Sequence, residues 1–147
     1  MKHMLSCLAA LSLLFCALNG TAGNAPEFFG PQASKLPFSE AVRFGNLLFL
    51  AGQIGLQPGT MKPVEGGIQA ETRAAMDRIK AVVEAHGSSM DRVLKCTVFL
   101  ADIKEWPAMN EVYVQYFPKA RPARSAMGVN GLALNARVEI ECIAAVE

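Results

Sequence analysis

Histidine is almost absent from this chain. Of its 147 residues only His3 and His86 carry an imidazole. His3 lies in an apolar N-terminal run, and His86 ends a helical pattern, where it is better placed to cap the last carbonyls than to move a proton. Cysteine is as sparse: Cys7, Cys16, Cys96 and Cys142 lie far apart, and no Cys/His grouping has the spacing of a metal site. There is no G-x-S-x-G elbow, no phosphate-cradling P-loop and no dinucleotide fingerprint, and the glycines of GLQPGTMKPVEGG (residues 55–67) suit turns. Metal, cofactor and serine-hydrolase chemistry therefore have no support in the sequence. An excess of charge is missing too, since 14 Lys and Arg stand against 13 Asp and Glu. No basic stripe is left to meet nucleic acid.

Nor is any apolar run long enough to span a membrane comfortably. What the N-terminus does have is Lys2, a greasy stretch from Met4 to Leu18, and then the small residues Gly20 to Gly23, which is the order of a secretory signal peptide. Residues 1–23 are expected to be a cleaved leader and residues 24–147 a single exported domain, periplasmic or secreted, with room for one core. An uncut anchor is the alternative; bulky Phe15 ahead of Cys16 argues against a lipoprotein. Loss of Lys2 brings the domain to a net charge near zero, and loss of Cys7 and Cys16 leaves it only Cys96 and Cys142. Those two could form a disulfide in an oxidising compartment, but a domain of this size does not need a staple. Two small buried thiols are expected.

Along the domain, Asn24 to Leu36 shows no periodicity and reads as a loosely tied segment. Phe38 to Arg43 and Leu47 to Ile54 read as strands joined at Gly45-Asn46. Ile68, Thr72, Ala75, Ile79, Val82 and Val83 recur at helical spacing, predicting a helix from about Ile68 to His86 that Gly87 stops. Val93 to Leu100 is the next strand, followed by a turn that Asp102 and Glu105 could cap. A second helix begins at Pro107, carries Met109, Val112, Tyr113, Tyr116 and Phe117 as its apolar stripe, and ends at Pro118. Ala123 to Val129 and Arg137 to Val146 complete the order ββαβαββ, a compact α+β domain without repeat or linker.

Two helices can cover only one face of such a sheet. In Val93 to Leu100 the helix-covered face is expected to be Leu94, Cys96, Val98 and Leu100. Leu47 to Ile54 is apolar on both sides: Leu47, Phe49 and Ala51 on one, Leu48, Leu50 and Ile54 on the other. A strand apolar on both sides needs cover on both. The expected cover is a second copy of the chain; the alternative is the N-terminal segment folding back over that face.

The chemistry points to the last stretch, RPARSAMGVNGLALNARVEIECIAAVE from Arg121 to Glu147. An arginine able to grip a carboxylate with two parallel hydrogen bonds and a carboxylate on a nearby strand are minimal parts for hydrolysing a small charged molecule. From about Phe38 to Val146, through LFLAGQIG, VLKCTVFLADI, AMNEVYVQYF, PARSAMGV and VEIECIA, the chain resembles the reactive-intermediate deaminase family, Rid or YjgF. That family has also been called L-PSP endoribonuclease and translation inhibitor.

The resemblance implies a chorismate-mutase-like fold and a homotrimer with a barrel-like centre and active sites in the clefts between subunits. It implies hydrolysis of reactive 2-imino acids to 2-keto acids and ammonia, with no cofactor. Arg124 matches the carboxylate-binding arginine, and Glu139 the acid that holds the attacking water, in preference to Glu141. Ala126 stands where many members have a cysteine whose backbone carbonyl helps place that water, and Phe38 where many have tyrosine, so the phenol oxygen is missing. Trp106 and Asn110 match pocket-lining positions, and Gly52 a close backbone approach to the ligand. A non-catalytic ligand-binding or stress-protective trimer is the alternative. So is the ribonuclease of the older names, against which the missing basic stripe weighs.

Overall fold

The computed structural model describes residues 25–30 and 36–146. The expected leader lies outside them, and among the described residues no helix is long and apolar enough to cross a membrane. Nine principal elements follow in order: β1 (Glu27–Phe29), β2 (Ala41–Phe44), β3 (Leu47–Leu50), β4 (Gln53–Ile54), α1 (Gly67–Ala85), β5 (Val93–Leu100), α2 (Trp106–Tyr113), β6 (Ala123–Gly128) and β7 (Val138–Ala145). The strands form one sheet in the order β1-β2-β3-β7-β5-β6, with β4 also pairing β7. All pairs are antiparallel except β5 with β6. Because β6 follows β5 through α2, that pair is a β-α-β crossover, which needs the helix to return the chain in the same direction.

Both helices pack on one face, as their apolar spacing requires. On α1, Ile68, Thr72, Ala75, Met76, Ile79, Val82 and Val83 are buried. They meet Leu48, Leu50, Val98, Ile140 and Ala144 in a single core. Beyond its last turn Gly87 takes φ 77°, and Ser88 N–H donates to the Val83 carbonyl, closing the helix with a left-handed glycine. α2 starts at Trp106 with Pro107 in its first turn, where the missing N–H costs nothing, and Met109, Val112 and Tyr113 point inward. Asp102 Oδ1 accepts from Lys104 N–H and caps the preceding turn, whereas Glu105 reaches instead to Arg137.

Several expectations need correction. The segment expected to be loose contributes β1, which extends the sheet edge beside β2 and does not fold over the open face. His86 sits at the C-cap of α1 and its backbone N–H donates to the Val83 carbonyl, but its imidazole does not do the capping: the ring stacks on Phe29 at 4.2 Å between centroids, and its Nε2 faces Glu40 at 3.8 Å. The strand expected from Phe38 begins only at Ala41, leaving Phe38 in the approach loop. The strand expected from Leu47 to Ile54 breaks at Ala51-Gly52 and resumes as β4. Ile54 then pairs with Glu139 and lies on the face opposite Leu48 and Leu50. Leu94 is exposed and Val93 buried, the reverse of simple alternation, because a bulge between Val93 and Lys95 shifts the register. Finally, Cys96 and Cys142 stand opposite one another on β5 and β7 and are joined as a disulfide, not held as free thiols. Only the strand register brings together two residues that are 46 apart in sequence.

The other face of the sheet carries Phe44, Phe49 and Met127, all exposed, with Val42, Thr97, Phe99 and Ile143 partly so. This stretch is apolar and, among the described residues, left exposed, as the two-sided strand pattern implied, with Lys95, Glu139 and Glu141 on the same face.

Candidate functional site

Arg124 sits near the start of β6, the last strand of the sheet, directly beside Cys96 of β5. That register turns its side chain to the helix-covered face, where α2 receives it. Its Nη1 donates to Asn110 Oδ1 at 2.7 Å, and its guanidinium carbon lies 4.7 Å from the centre of the Tyr113 ring and 5.8 Å from that of Trp106. One hydrogen bond and two aromatic faces hold the guanidinium while leaving further N–H donors for a ligand. Around it lies a shallow groove of about 510 Å³ lined by Ile103, Lys104, Trp106, Pro107, Arg124 and Ala126.

Tyr113 was read from the sequence only as part of an apolar stripe. Its ring is buried beneath Arg124, and burial pushes its hydroxyl up to about 12, against the opposing pull of the Arg124 charge. The hydroxyl has no hydrogen-bond partner among the described residues.

Glu139 lies on β7, opposite Phe99 of β5 and Ile54 of β4, and so on the open face. Gly52, in the break between β3 and β4, is packed against its carboxylate: a methyl group at that position would overlap Glu139 Oε1. Phe38, Gly52 and Glu139 line one cleft of about 640 Å³, with Glu40, Ile54 and Arg78 among its other walls. Arg78 Nε donates to Gln53 Oε1 at 3.0 Å, which ties β4 to α1.

The entry to β7 is anchored by a group that sequence reasoning passed over. Glu71, almost fully buried on α1, accepts from the backbone N–H of Arg137 at 2.8 Å, two residues before Glu139. The Arg137 side chain bonds in turn to Glu105, next to the start of α2. Burial raises the Glu71 carboxyl above the ordinary carboxylate range, against the opposing bond and charge of Arg137. No short-range motif marks Glu71; only its place on the buried face of α1 could have drawn notice.

The seven residues singled out in the sequence thus fall into two groups. Arg124, Asn110, Trp106 and Ala126 converge on the helix side of the sheet, and Phe38 and Gly52 line a second cleft with Glu139, which lies on the open face. The arginine and the acid do not meet within one chain. Among the described residues no group of three or more His, Cys, Asp and Glu is placed to hold a metal ion.

Known proteins share this arrangement of strands and helices. A RutC family protein of Pyrococcus horikoshii is 44% identical over 121 residues, covering 82% of this chain and 91% of its own. A 2-iminobutanoate/2-iminopropanoate deaminase of Dermatophagoides farinae is 44% identical over 111 residues, covering 76% of this chain and 87% of its own. The crystal structure of the yeast protein YEO7 superposes with a TM-score of 0.77 at 39% identity, covering 84% of this chain and all of that one. The model of the family described as Endoribonuclease L-PSP matches residues 31–146, and the chain belongs to that family.

Proposed function

We propose that this chain is an imine deaminase that converts R–C(=NH)–COO⁻ and water to R–C(=O)–COO⁻ and ammonia, in a homotrimer whose sites form where subunits meet. The observation that carries the reading is the division just described. The Arg124 guanidinium and the Glu139 carboxylate are each held in place, but on opposite faces of one sheet. A second copy docked by its open face against the arginine edge of the first completes the site. Relatives named as imine deaminases, at 44% identity in the mite protein, support it.

In this site Arg124, steadied by Asn110 and Tyr113, fixes the substrate carboxylate with a charged two-point contact, an orientation effect that lowers the entropic part of the barrier. Glu139, from the neighbouring subunit, takes a proton from water as its oxygen adds to the C=N carbon. It passes that proton to the nitrogen to give the carbinolamine, then takes the hydroxyl proton and delivers it to the same nitrogen as C=O forms and the C–N bond breaks to release ammonia. Ala126 lies on β6 two residues from Arg124, where a backbone carbonyl can hold the same water. Imines hydrolyse unaided, so the barrier to be removed is modest and no cofactor is invoked.

The leader reading is part of the proposal: the protein is exported, and its native N-terminus lies near Ala22 to Asn24. The test of activity couples an amino-acid oxidase to the purified protein and follows loss of the imine. Faster loss with the parent protein, abolished in both Arg124→Ala and Glu139→Gln, is the expected result. An unchanged rate with and without the protein would reject the activity.

A further inference from the structure

The imine carbon bears three substituents. On the proposed reading, on which this inference rests, Arg124 takes the carboxylate and Glu139 attends the water and the nitrogen. The third substituent, the side chain R, has to leave along whatever remains of the Glu139 cleft. That remainder is mostly apolar, with Glu40 and Arg78 its charged exceptions, and far larger than a methyl group needs: Phe28, Leu36, Phe38, Leu56, Met61 and Leu134 line the same 640 Å³ that hold Glu139. Phe28 is 69% exposed and Met61 62%, so these side chains are presented to the cleft and not absorbed by the core.

Leu134 adds a second, independent sign. It adopts φ 58°, ψ 21°, a left-handed conformation that a branched side chain resists, five residues before Glu139. Only Leu134 and its neighbour Asn135 do so without being glycine among the described residues. Glycine would fit that backbone without strain. The strained conformation holds an apolar side chain in the wall of the cleft.

The geometry points to 2-imino acids with bulky apolar side chains, such as those formed from leucine or phenylalanine, as the preferred substrates, with Leu134 and Phe38 setting that preference.

The experiment supplies the purified protein with imines made in situ by a broad amino-acid oxidase from alanine, leucine and phenylalanine. The two bulky imines are expected to show kcat/KM at least about tenfold above the alanine-derived one, the discrimination that extra methylenes in an apolar pocket carry. Leu134→Gly suits the observed backbone, so its melting temperature should not fall, and it should shrink the bulky-to-small ratio several-fold. An alanine-derived imine hydrolysed as fast as the bulky ones overturns the inference and leaves the deaminase reading standing. A ratio untouched by Leu134→Gly overturns the part assigned to Leu134. If no imine is turned over, the deaminase reading falls, and calorimetric titration with keto acids decides the cleft. Tighter binding of 4-methyl-2-oxopentanoate than of pyruvate upholds its apolar specificity, and equal binding overturns it.

Discussion

Gly52 does for Glu139 what no side chain could: it leaves the space its carboxylate occupies. Gly52→Ala should therefore displace the carboxylate and lower kcat by about a hundredfold, a loss of roughly 3 kcal/mol in transition-state stabilisation. The fold should survive, since the carboxylate is a movable end, and circular dichroism alongside kinetics separates the two effects. For Arg124, a lysine keeps the charge but loses the planar fork, the bond to Asn110 and the stacking on Tyr113. Arg124→Lys should lose activity nearly as far as Arg124→Ala, about a hundredfold in kcat/KM. The resemblance made both residues legible, with Trp106 and Asn110 beside Arg124, but not the Tyr113 ring or the side chain that presses on Gly52. Which ring lies under Arg124 depends on how α2 packs on β6, and which atom presses on Gly52 depends on a strand break; neither has a local signal.

Elements were legible where one pattern acted alone. The α1 spacing and the bounds of the Val93–Leu100 strand appear as read, because each buries one face against a single layer. The reading failed where a backbone irregularity changed the count. The bulge at Val93/Lys95 inverts Val93 and Leu94, and the break at Ala51-Gly52 moves Ile54 to the other face. The contact between α1 and β7 through Glu71 was invisible for a different reason, being a buried carboxylate whose partner is a backbone N–H. It makes a definite prediction. Below the ordinary carboxylate range both folded and unfolded chains hold the proton on Glu71 and its burial costs little. As pH rises through that range the unfolded chain releases the proton while the folded chain retains it, so stability is lost until the folded group ionises. Glu71→Gln cannot ionise yet can still accept from Arg137. Its urea midpoint relative to the parent should climb with pH across that window and then level off, whereas a constant offset would contradict this account.

At the scale of the molecule, the Cys96–Cys142 cross-link closes a long loop through α2 and β6. Constraint of the unfolded chain over such a loop is worth about 2–4 kcal/mol. Replacing both cysteines by alanine should lower the unfolding free energy by about that amount, and a change near zero would mean the pair adds little in solution.

Placing the arginine and the acid on opposite faces of one sheet also has a genetic consequence. In the proposed trimer every site joins the acid of one subunit to the arginine of the next, so a subunit disabled in one half still carries an intact copy of the other. Arg124→Ala and Glu139→Gln, each inactive alone, should rescue one another when their subunits are mixed. Equal, random mixing makes about a quarter of the sites whole in a head-to-tail ring. Co-expression of the two variants, followed by measurement of imine loss and of particle mass by light scattering, reads this directly. Two dead proteins would make a partly living one, and an allele that looks null by itself would be silent only in the wrong company.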